Sequence, residues 1–239
     1  MTGLRIVEQN ISTALIMEDD MDWDIRLKSQ LQNFARGSRF IRGTENPKTS
    51  PYGDGWDVLW LGHCGEIFPE TLDENRHKPA SDADIVFMSR KYTTKDSTVP
   101  PPDQLQGFQN TTEFPYTRWA HQSRGPIYTF AYALSQAGAR KVLFDLSVDH
   151  LQGPFDNSLA GFCRWGSDAR KLDAKCISST PELFHHHKAK GGIAGDSDIQ
   201  NVGGGGEIRE KGFTENIVLS VRNNLGDLLA GKEVESMFD

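Results

Sequence analysis

Short apolar runs alternate along this chain with longer segments of helical periodicity, and this alternation limits the folds that the chain can adopt. The runs that predict strands are 13–17, 56–61, 84–88, 127–133 and 175–179. The segments whose apolar spacing predicts helices are 25–34, 135–146, 155–165 and 213–229, with the end of a further helix at 3–9. Strands that alternate with helices are typical of an α/β domain with a mostly parallel sheet.

Composition excludes two classes of function. The 239 residues carry 33 acidic and 26 basic side chains, a net charge of −7, so the clustered cations that bind nucleic acid are not expected. The chain contains no apolar run of the length that spans a membrane, so we predict no membrane span. A nucleotide bound through a divalent cation stays compatible with this charge.

The chain has three cysteines, Cys64, Cys163 and Cys176. An odd count with wide spacing predicts neither a disulfide framework nor a zinc site. Three buried thiols are expected, with a Cys163–Cys176 bridge as the alternative. His63 and Cys64 are neighbours at the end of a predicted strand, so their side chains point to opposite faces. A role in the core or in the lining of a pocket is expected for both, rather than a catalytic pair.

Five carboxylates in seven residues follow the first predicted strand directly. Because ligands bind at the carboxyl ends of strands in open α/β sheets, and because crowded like charges need an offset, this position favours a Mg²⁺ or Mn²⁺ site. Strand alternation places Glu18, Asp20 and Asp22 on one side as ligands, with Asp19 turned back into hydrogen bonds. The alternative is a solvated acidic run whose Asp22 or Asp24 caps the next helix.

Three consecutive histidines, His185 to His187, follow the last predicted strand. In extended chain His185 and His187 share a face and His186 opposes them. These imidazoles are either a surface run or a source of one further ligand for the cation. The glycine-rich segment 191–212 is not a phosphate-binding loop, because no strand and no Lys-Ser/Thr pair accompanies it. A mobile lid and a disordered insertion are the two interpretations of that segment.

Five segments, in order, are similar to those of glycosyltransferase family 25, the group of lipooligosaccharide and collagen galactosyltransferases, in particular its fungal members. They are 14–24 (ALIMEDDMDWD), 56–65 (WDVLWLGHCG), 129–143 (TFAYALSQAGARKVL), 153–159 (GPFDNSL) and 176–187. The resemblance covers roughly residues 3–190. It divides the chain into a catalytic domain at 1–190, the glycine-rich loop at 191–212, and a C-terminal helix and tail at 213–239.

The resemblance implies a GT-A-like nucleotide-diphospho-sugar transferase fold and an inverting, metal-dependent transfer of a hexose. The donor would be a UDP-sugar such as UDP-galactose, the acceptor a glycan or glycoprotein, and the cofactor Mn²⁺ or Mg²⁺. Asp19 and Asp20 would form the cofactor-binding pair. The metal ligands would come from Glu18, Asp20, Asp22, His185 and His187. Asp156 would be the general base, with a helix N-cap as the alternative role and Asp149 as the second candidate base.

The family's opening strand, with the Asn-Leu and Arg-Asp-Arg-type segment that helps to hold the nucleotide, has no counterpart in this sequence. The expected fold is therefore a GT-A-like sheet that lacks its first strand. This departure motivates one alternative, a paralogue that binds metal or sugar without transfer. A second alternative is a metal-dependent phosphate-ester hydrolase that uses the same carboxylates.

Overall fold

The computed structural model describes residues 2–48, 50–107, 114–149, 153–166, 172–193 and 206–238. Its helices are α1 (Thr2–Glu8), α2 (Leu27–Arg42), α3 (Ala83–Met88), α4 (Gln136–Phe144), α5 (Phe155–Trp165) and α6 (Val221–Ala230). Its strands are β1 (Thr13–Met17), β2 (Met21–Trp23), β3 (Val58–Gly62), β4 (Lys91–Lys95), β5 (Thr117–Gln122), β6 (Ala131–Ser135), β7 (Cys176–Thr180), β8 (Phe184–Lys188), β9 (Gly191–Gly192), β10 (Ile208–Arg209) and β11 (Phe213–Thr214). No helix in these ranges is both long enough and apolar enough to cross a bilayer.

The main sheet has the strand order β1-β6-β3-β7-β5-β4, and β8 extends from β3 to pair with β2 and β11. Among the described strands, β3 is parallel to β7 and β8, and the other pairs are antiparallel. The α/β class is confirmed, but the expectation of a mostly parallel sheet is wrong. Strand periodicity does not encode direction, and here β6 runs against both of its neighbours.

A short continuous apolar run such as 13–17 predicts a strand that is buried on both faces, and the structure corrects this for β1. The strand lies at an edge of the sheet with β6 as its partner, and its residues are exposed and half-buried in turn. Leu15 and Met17 are 47% and 43% exposed, whereas Ala14 and Ile16 pack against the core. A continuous apolar run therefore forms an edge strand here, because one of its faces is only partly covered.

The apolar run at 84–88 forms helix α3 rather than the predicted strand. The Asp82 carboxylate accepts hydrogen bonds from the backbone N–H groups of Asp84 and Ile85, at 2.9 and 3.3 Å, so it caps the helix. Residues 91–115 are polar and contain three consecutive prolines, a pattern that predicts an extended loop. The segment begins instead with β4, which pairs antiparallel with β5. Five-residue apolar runs fit either structure, and here the cap decides.

Two cores lie on opposite faces of the sheet because residues of β3 alternate between them. Val58 and Trp60 belong to the core that also contains residues of α1, α4 and α5, and Leu59 and Leu61 belong to the core with residues of α2. All four side chains are at most 3% exposed. The predicted buried strand at 56–61 is thus confirmed, and it anchors both layers of helices.

A disulfide joins Cys163 of α5 to Cys176 at the start of β7, with an S–S distance of 2.04 Å. Cys64 is a free and exposed cysteine. The expectation of three buried thiols is therefore wrong, and the alternative bridge is confirmed. The pairing arises because α5 packs over the first residue of β7, a contact that the spacing of 13 residues does not reveal.

Candidate functional site

The acidic segment forms a turn at the carboxyl end of β1. Pairing with the neighbouring segment continues one residue beyond the strand, because the Glu18 N–H donates to the Phe130 carbonyl at 3.1 Å. The chain then turns and enters β2, which pairs with the histidine-bearing β8. The His187 N–H donates to the Asp20 carbonyl at 2.9 Å. Acids and histidines that are far apart in sequence therefore meet at this edge.

Glu18 shares its electrostatic surroundings with three other carboxylates. Partial burial raises its pKa, and the negative charge of Asp20 raises it further, with smaller effects from Asp156 and Asp19. The Thr129 hydroxyl donates to Glu18 Oε1 at 3.5 Å and lowers the pKa in part. Negative charge is thus concentrated at this position, as the sequence predicts.

Asp20 is the carboxylate that an imidazole contacts most closely. Its Oδ2 lies 2.7 Å from Nε2 of His186, whereas its Oδ1 is buried without a hydrogen-bond partner among the described residues. The Asp20 side chain is 46% exposed, so the pair is open to solvent on one side. An orphaned carboxylate oxygen beside an imidazole is the donor chemistry that a divalent cation uses.

In the described ranges, no group of three or more His, Cys, Asp or Glu side chains is arranged to hold a metal ion. A cation at Asp20 and His186 would therefore complete its coordination with substrate phosphates and water. Mg²⁺ commonly binds in this way, through one or two carboxylates.

Asp156 lies in the first turn of α5 and is half-buried. The N-cap position belongs to Pro154 and no side chain caps this helix, so the alternative role of Asp156 as a cap is wrong. Its carboxylate accepts no hydrogen bond from the residues that the structure describes, and its charge reaches Glu18 and Cys64. Asp149, the second candidate base, is exposed on the π-helical turn Asp145–Asp149.

Asp22 does not join this group, which corrects its predicted role as a metal ligand. Its side chain is 0% exposed and accepts hydrogen bonds from the Trp23 and Arg222 N–H groups at 2.8 and 3.1 Å. The Thr214 hydroxyl donates to it at 2.6 Å, and the Ser220 hydroxyl also donates to it. With both oxygens occupied by protein donors, this carboxylate attaches the C-terminal segment to β2.

His185 and His187 face other partners, so the structure does not bring either predicted ligand to Asp20. His185 Nε2 lies 3.7 and 3.8 Å from the carboxylates of Glu182 and Glu215. His187 Nδ1 donates to the Thr214 hydroxyl at 2.8 Å, because that hydroxyl donates its own proton to Asp22. Burial lowers the pKa of His187, which keeps this imidazole neutral.

The alternation rule selected the wrong histidines because Asp20 lies in a turn rather than in β2. Asp19, the other member of the predicted cofactor-binding pair, has an exposed side chain, and its carbonyl accepts a hydrogen bond from Arg222. Arg222 Nε also donates to the Met21 carbonyl at 2.8 Å. A cation from α6 thus holds the backbone of the acidic turn, and no signal near that turn predicts this.

No family model, no curated protein and no solved structure matches the chain. Function is therefore inferred from the side chains and distances at this edge of the sheet.

An aromatic series that sequence reasoning did not identify borders the acids. The ring of Tyr128 stacks on that of Phe130 with 5.5 Å between centroids, and Phe130 in turn contacts the ring of His185 edge-on at 5.0 Å. Tyr128 is 44% exposed and has a left-handed φ of 65°, a conformation that costs energy for a residue with a Cβ. The series reaches the acids through Phe130, whose ring also lies 6.3 Å from that of His186, the partner of Asp20.

His63 and Cys64 do not form a catalytic pair, in agreement with the sequence analysis. His63 is fully buried and its Nε2–H donates to the Ser179 carbonyl at 2.9 Å. Although Cys64 as a residue is exposed, burial of its thiol, together with the charge of Glu182, raises the thiol pKa to about 11. The thiol is therefore protonated at neutral pH and is a poor nucleophile.

Proposed function

We propose that this protein is a metal-dependent glycosyltransferase with a fold of the GT-A type. It would move a hexose, such as galactose from UDP-galactose, to a hydroxyl group of a glycan or glycoprotein. The observation that carries this proposal is the grouping of Glu18, Asp20 and Asp156 at one edge of the sheet, with His186 2.7 Å from Asp20. The resemblance of five segments to glycosyltransferase family 25 supports it.

The donor chemistry at this edge fits a Mn²⁺ or Mg²⁺ ion. Asp20 and His186 would hold the cation, because Asp20 Oδ1 is buried without a hydrogen-bond partner among the described residues. When bound, such an ion neutralises charge on the leaving diphosphate. The crowded carboxylates account for the need for a cation, since their mutual repulsion raises the pKa of Glu18 after the effect of burial.

Asp156 is the residue that we assign as general base. Its carboxylate is half-buried and is not engaged as a helix cap. It would take the proton from the acceptor hydroxyl as the bond from that oxygen to the anomeric carbon forms. In the same step the bond from the anomeric carbon to the donor phosphate oxygen breaks, and the diphosphate leaves with the electron pair. This single displacement inverts the anomeric centre.

Exposed aromatic rings that neighbour site residues in sequence would supply apolar surfaces for sugar rings. Tyr128 and Phe155 are 44% and 47% exposed, and each is next in sequence to a residue of the site, Thr129 and Asp156. Rings of this kind offer a flat apolar face with little loss of conformational entropy. The Cys163–Cys176 disulfide is also typical of the oxidising compartments in which the similar family works.

Calorimetric titration of the chain with UDP, with and without MnCl₂, tests the cation and donor site. We expect UDP to bind only when Mn²⁺ is present, and Asp20→Asn to weaken that binding at least about tenfold, since a charged ligand is lost. Asp73→Asn, which removes an exposed carboxylate elsewhere, is the matched control and should bind as the wild type does. Absence of any heat from UDP and Mn²⁺ with the folded wild type contradicts the proposal.

Turnover is tested separately by the release of UDP from UDP-galactose in the presence of a panel of saccharide and glycopeptide acceptors. We expect acceptor-dependent release that Asp156→Asn abolishes while UDP affinity stays unchanged, because the base does not contact the nucleotide. Binding of UDP without release from any nucleotide sugar tested would instead identify a binding protein without transferase activity.

A further inference from the structure

A separate cavity of about 290 Å³ lies at the opposite end of the central strands from the acidic turn. Gln122 at the end of β5 pairs with Ile177 near the start of β7, and β7 starts beside the start of β3. The acidic turn lies instead beyond the end of β3, since Met17 and Gly62 both pair with Ala131. The side chains that matter in the cavity wall are Arg42, Phe87, Met88, Gln122, Arg124 and Lys175.

Arg42, the last residue of α2, contributes a guanidinium to this wall. Its Nε is buried and has no hydrogen-bond partner among the residues that the structure describes. Burial also lowers the pKa of the guanidinium, although Asp173 and Asp57 oppose this effect. A buried N–H that donates to nothing costs free energy, and an anion in the cavity would remove that cost.

The acidic groups around the cavity are largely exposed or are paired with lysines. The Asp84 carboxylate is 73% exposed and lies 4.0 Å from Lys78 Nζ. Asp173 is 73% exposed and pairs with Lys175 at 2.6 Å. The second acid within range of Arg42, Asp57, is buried and accepts a hydrogen bond from Lys141 at 2.7 Å.

Arg124 adds a second guanidinium to the wall. It is 8% exposed, and its Nη1 donates to the backbone carbonyls of Cys163 and Arg164 at 3.2 and 2.7 Å. These bonds hold the group in place beside the cavity. Two guanidinium groups therefore border the same space, whereas the two acids in its wall, Asp84 and Asp173, are each 73% exposed.

We propose that this cavity binds a small organic anion whose carboxylate or phosphate group contacts Arg42. The guanidinium presents donors in a planar fork that matches either group. The apolar part of the ligand would pack against Phe87 and Met88, which line the same space. The volume suits a molecule of the size of one aromatic ring or one sugar phosphate. The site is independent of the acidic edge, so it does not depend on the proposed transferase activity.

Titration of the full ¹⁵N-labelled chain, followed by ¹H–¹⁵N NMR, tests this site with two probes, sodium benzoate and inorganic phosphate, at constant ionic strength. We expect saturable shifts of the Arg42 Nε–Hε signal and of the backbone amides at 122–124 and 174–177. A response to benzoate alone assigns the site to carboxylates with an apolar body, and a response to phosphate alone assigns it to phosphate compounds.

Arg42→Gln should weaken the responding probe about tenfold, because a charge-assisted contact is lost. Arg36→Gln changes an exposed cation on the same helix and should leave binding unchanged. Arg42→Lys keeps the charge without the fork and should bind with intermediate affinity, which gives a second variant if the first is unstable. The proposal is overturned if neither probe produces a saturable shift, or if Arg42→Gln binds as tightly as the wild type.

Discussion

Replacement of Asp22 by alanine separates a structural carboxylate from a metal ligand. The Asp22 side chain is 0% exposed and accepts four hydrogen bonds. Two of the donors are backbone N–H groups, those of Trp23 and Arg222, and they cannot turn away when the acceptor is removed. Each unsatisfied donor costs about 1–3 kcal/mol, so Asp22→Ala should lower the free energy of unfolding by about 2–6 kcal/mol. The Ser220 and Thr214 hydroxyls can rotate to other partners and are left out of this sum.

Urea unfolding followed by tryptophan fluorescence measures this loss. Asp20→Ala is the matched comparison from the same acidic segment, and its contact with His186 is half-exposed, so it should cost less than about 1 kcal/mol. Asp22→Asn keeps an acceptor oxygen and the shape of the side chain, so its loss should fall between those of the two alanine variants.

Mn²⁺ titrations of the same three variants complete the comparison. We expect Asp20→Ala to lose Mn²⁺ binding while its fold stays intact. Asp22→Ala should show a lower free energy of unfolding as its main effect. If Asp22→Ala instead keeps its unfolding free energy and loses Mn²⁺ affinity, the ligand role predicted from the acidic pattern is right and the structural role argued here is refuted.

Three further predictions follow from buried groups and close contacts. Burial lowers the pKa of His121 to about 3 from the ordinary 6.5, so the unfolded chain binds more protons than the folded chain between these two pH values. The free energy of unfolding should therefore be about 2 kcal/mol lower at about pH 5 than at neutral pH. Urea midpoints of His121→Gln should lose that part of their pH dependence, and an unchanged dependence would contradict the assignment. Glu18→Gln should raise the melting temperature at neutral pH, because the raised pKa of Glu18 means that the folded state disfavours its charged form. The gain should vanish at a pH low enough to protonate the wild-type carboxyl. A lower melting temperature of the variant at neutral pH would refute this. Gly138→Ala should lower the free energy of unfolding, measured in urea, by at least about 1–3 kcal/mol, because a Cβ there would lie 2.1 Å from the Asp57 carbonyl oxygen. Gly226→Ala, at a helix position with open space, should raise it by about 0.5–1 kcal/mol. Equal effects of the two variants would show that the close contact relaxes.

Much of the secondary structure was predictable because its signals are local. Ser135 caps α4 by accepting a hydrogen bond from the Gly138 N–H at 2.9 Å, at the first residue of the helix predicted at 135–146. The helix at 155–165 has the predicted bounds. The failure at α3 has a local cause too, since a five-residue apolar run fits both structures and the Asp82 cap selects the helix.

The crowding of carboxylates at the candidate site was predictable, but which side chains meet there was not. A strand that ends in five carboxylates indicated where charge would gather, and Glu18 and Asp20 do lie there with Asp156 nearby. The register between β2 and β8 then decided which imidazole reaches Asp20, and the turn before β2 made that imidazole His186. Register and turn geometry depend on contacts between segments more than 160 residues apart.

The sequence by itself determined the α/β class, the helix at 155–165 and the collection of negative charge after the first strand, because periodicity and charge are properties of neighbouring residues. It did not determine the ends of every element, since the predicted helix at 213–229 begins as β11 and is helical only at 221–230. The tertiary structure alone decided the direction of the strands, the Cys163–Cys176 pairing and the burial of Asp22 under the C-terminal segment. Each of these depends on which distant surfaces pack together, and that packing is set by the free energy of the whole chain rather than by any one segment.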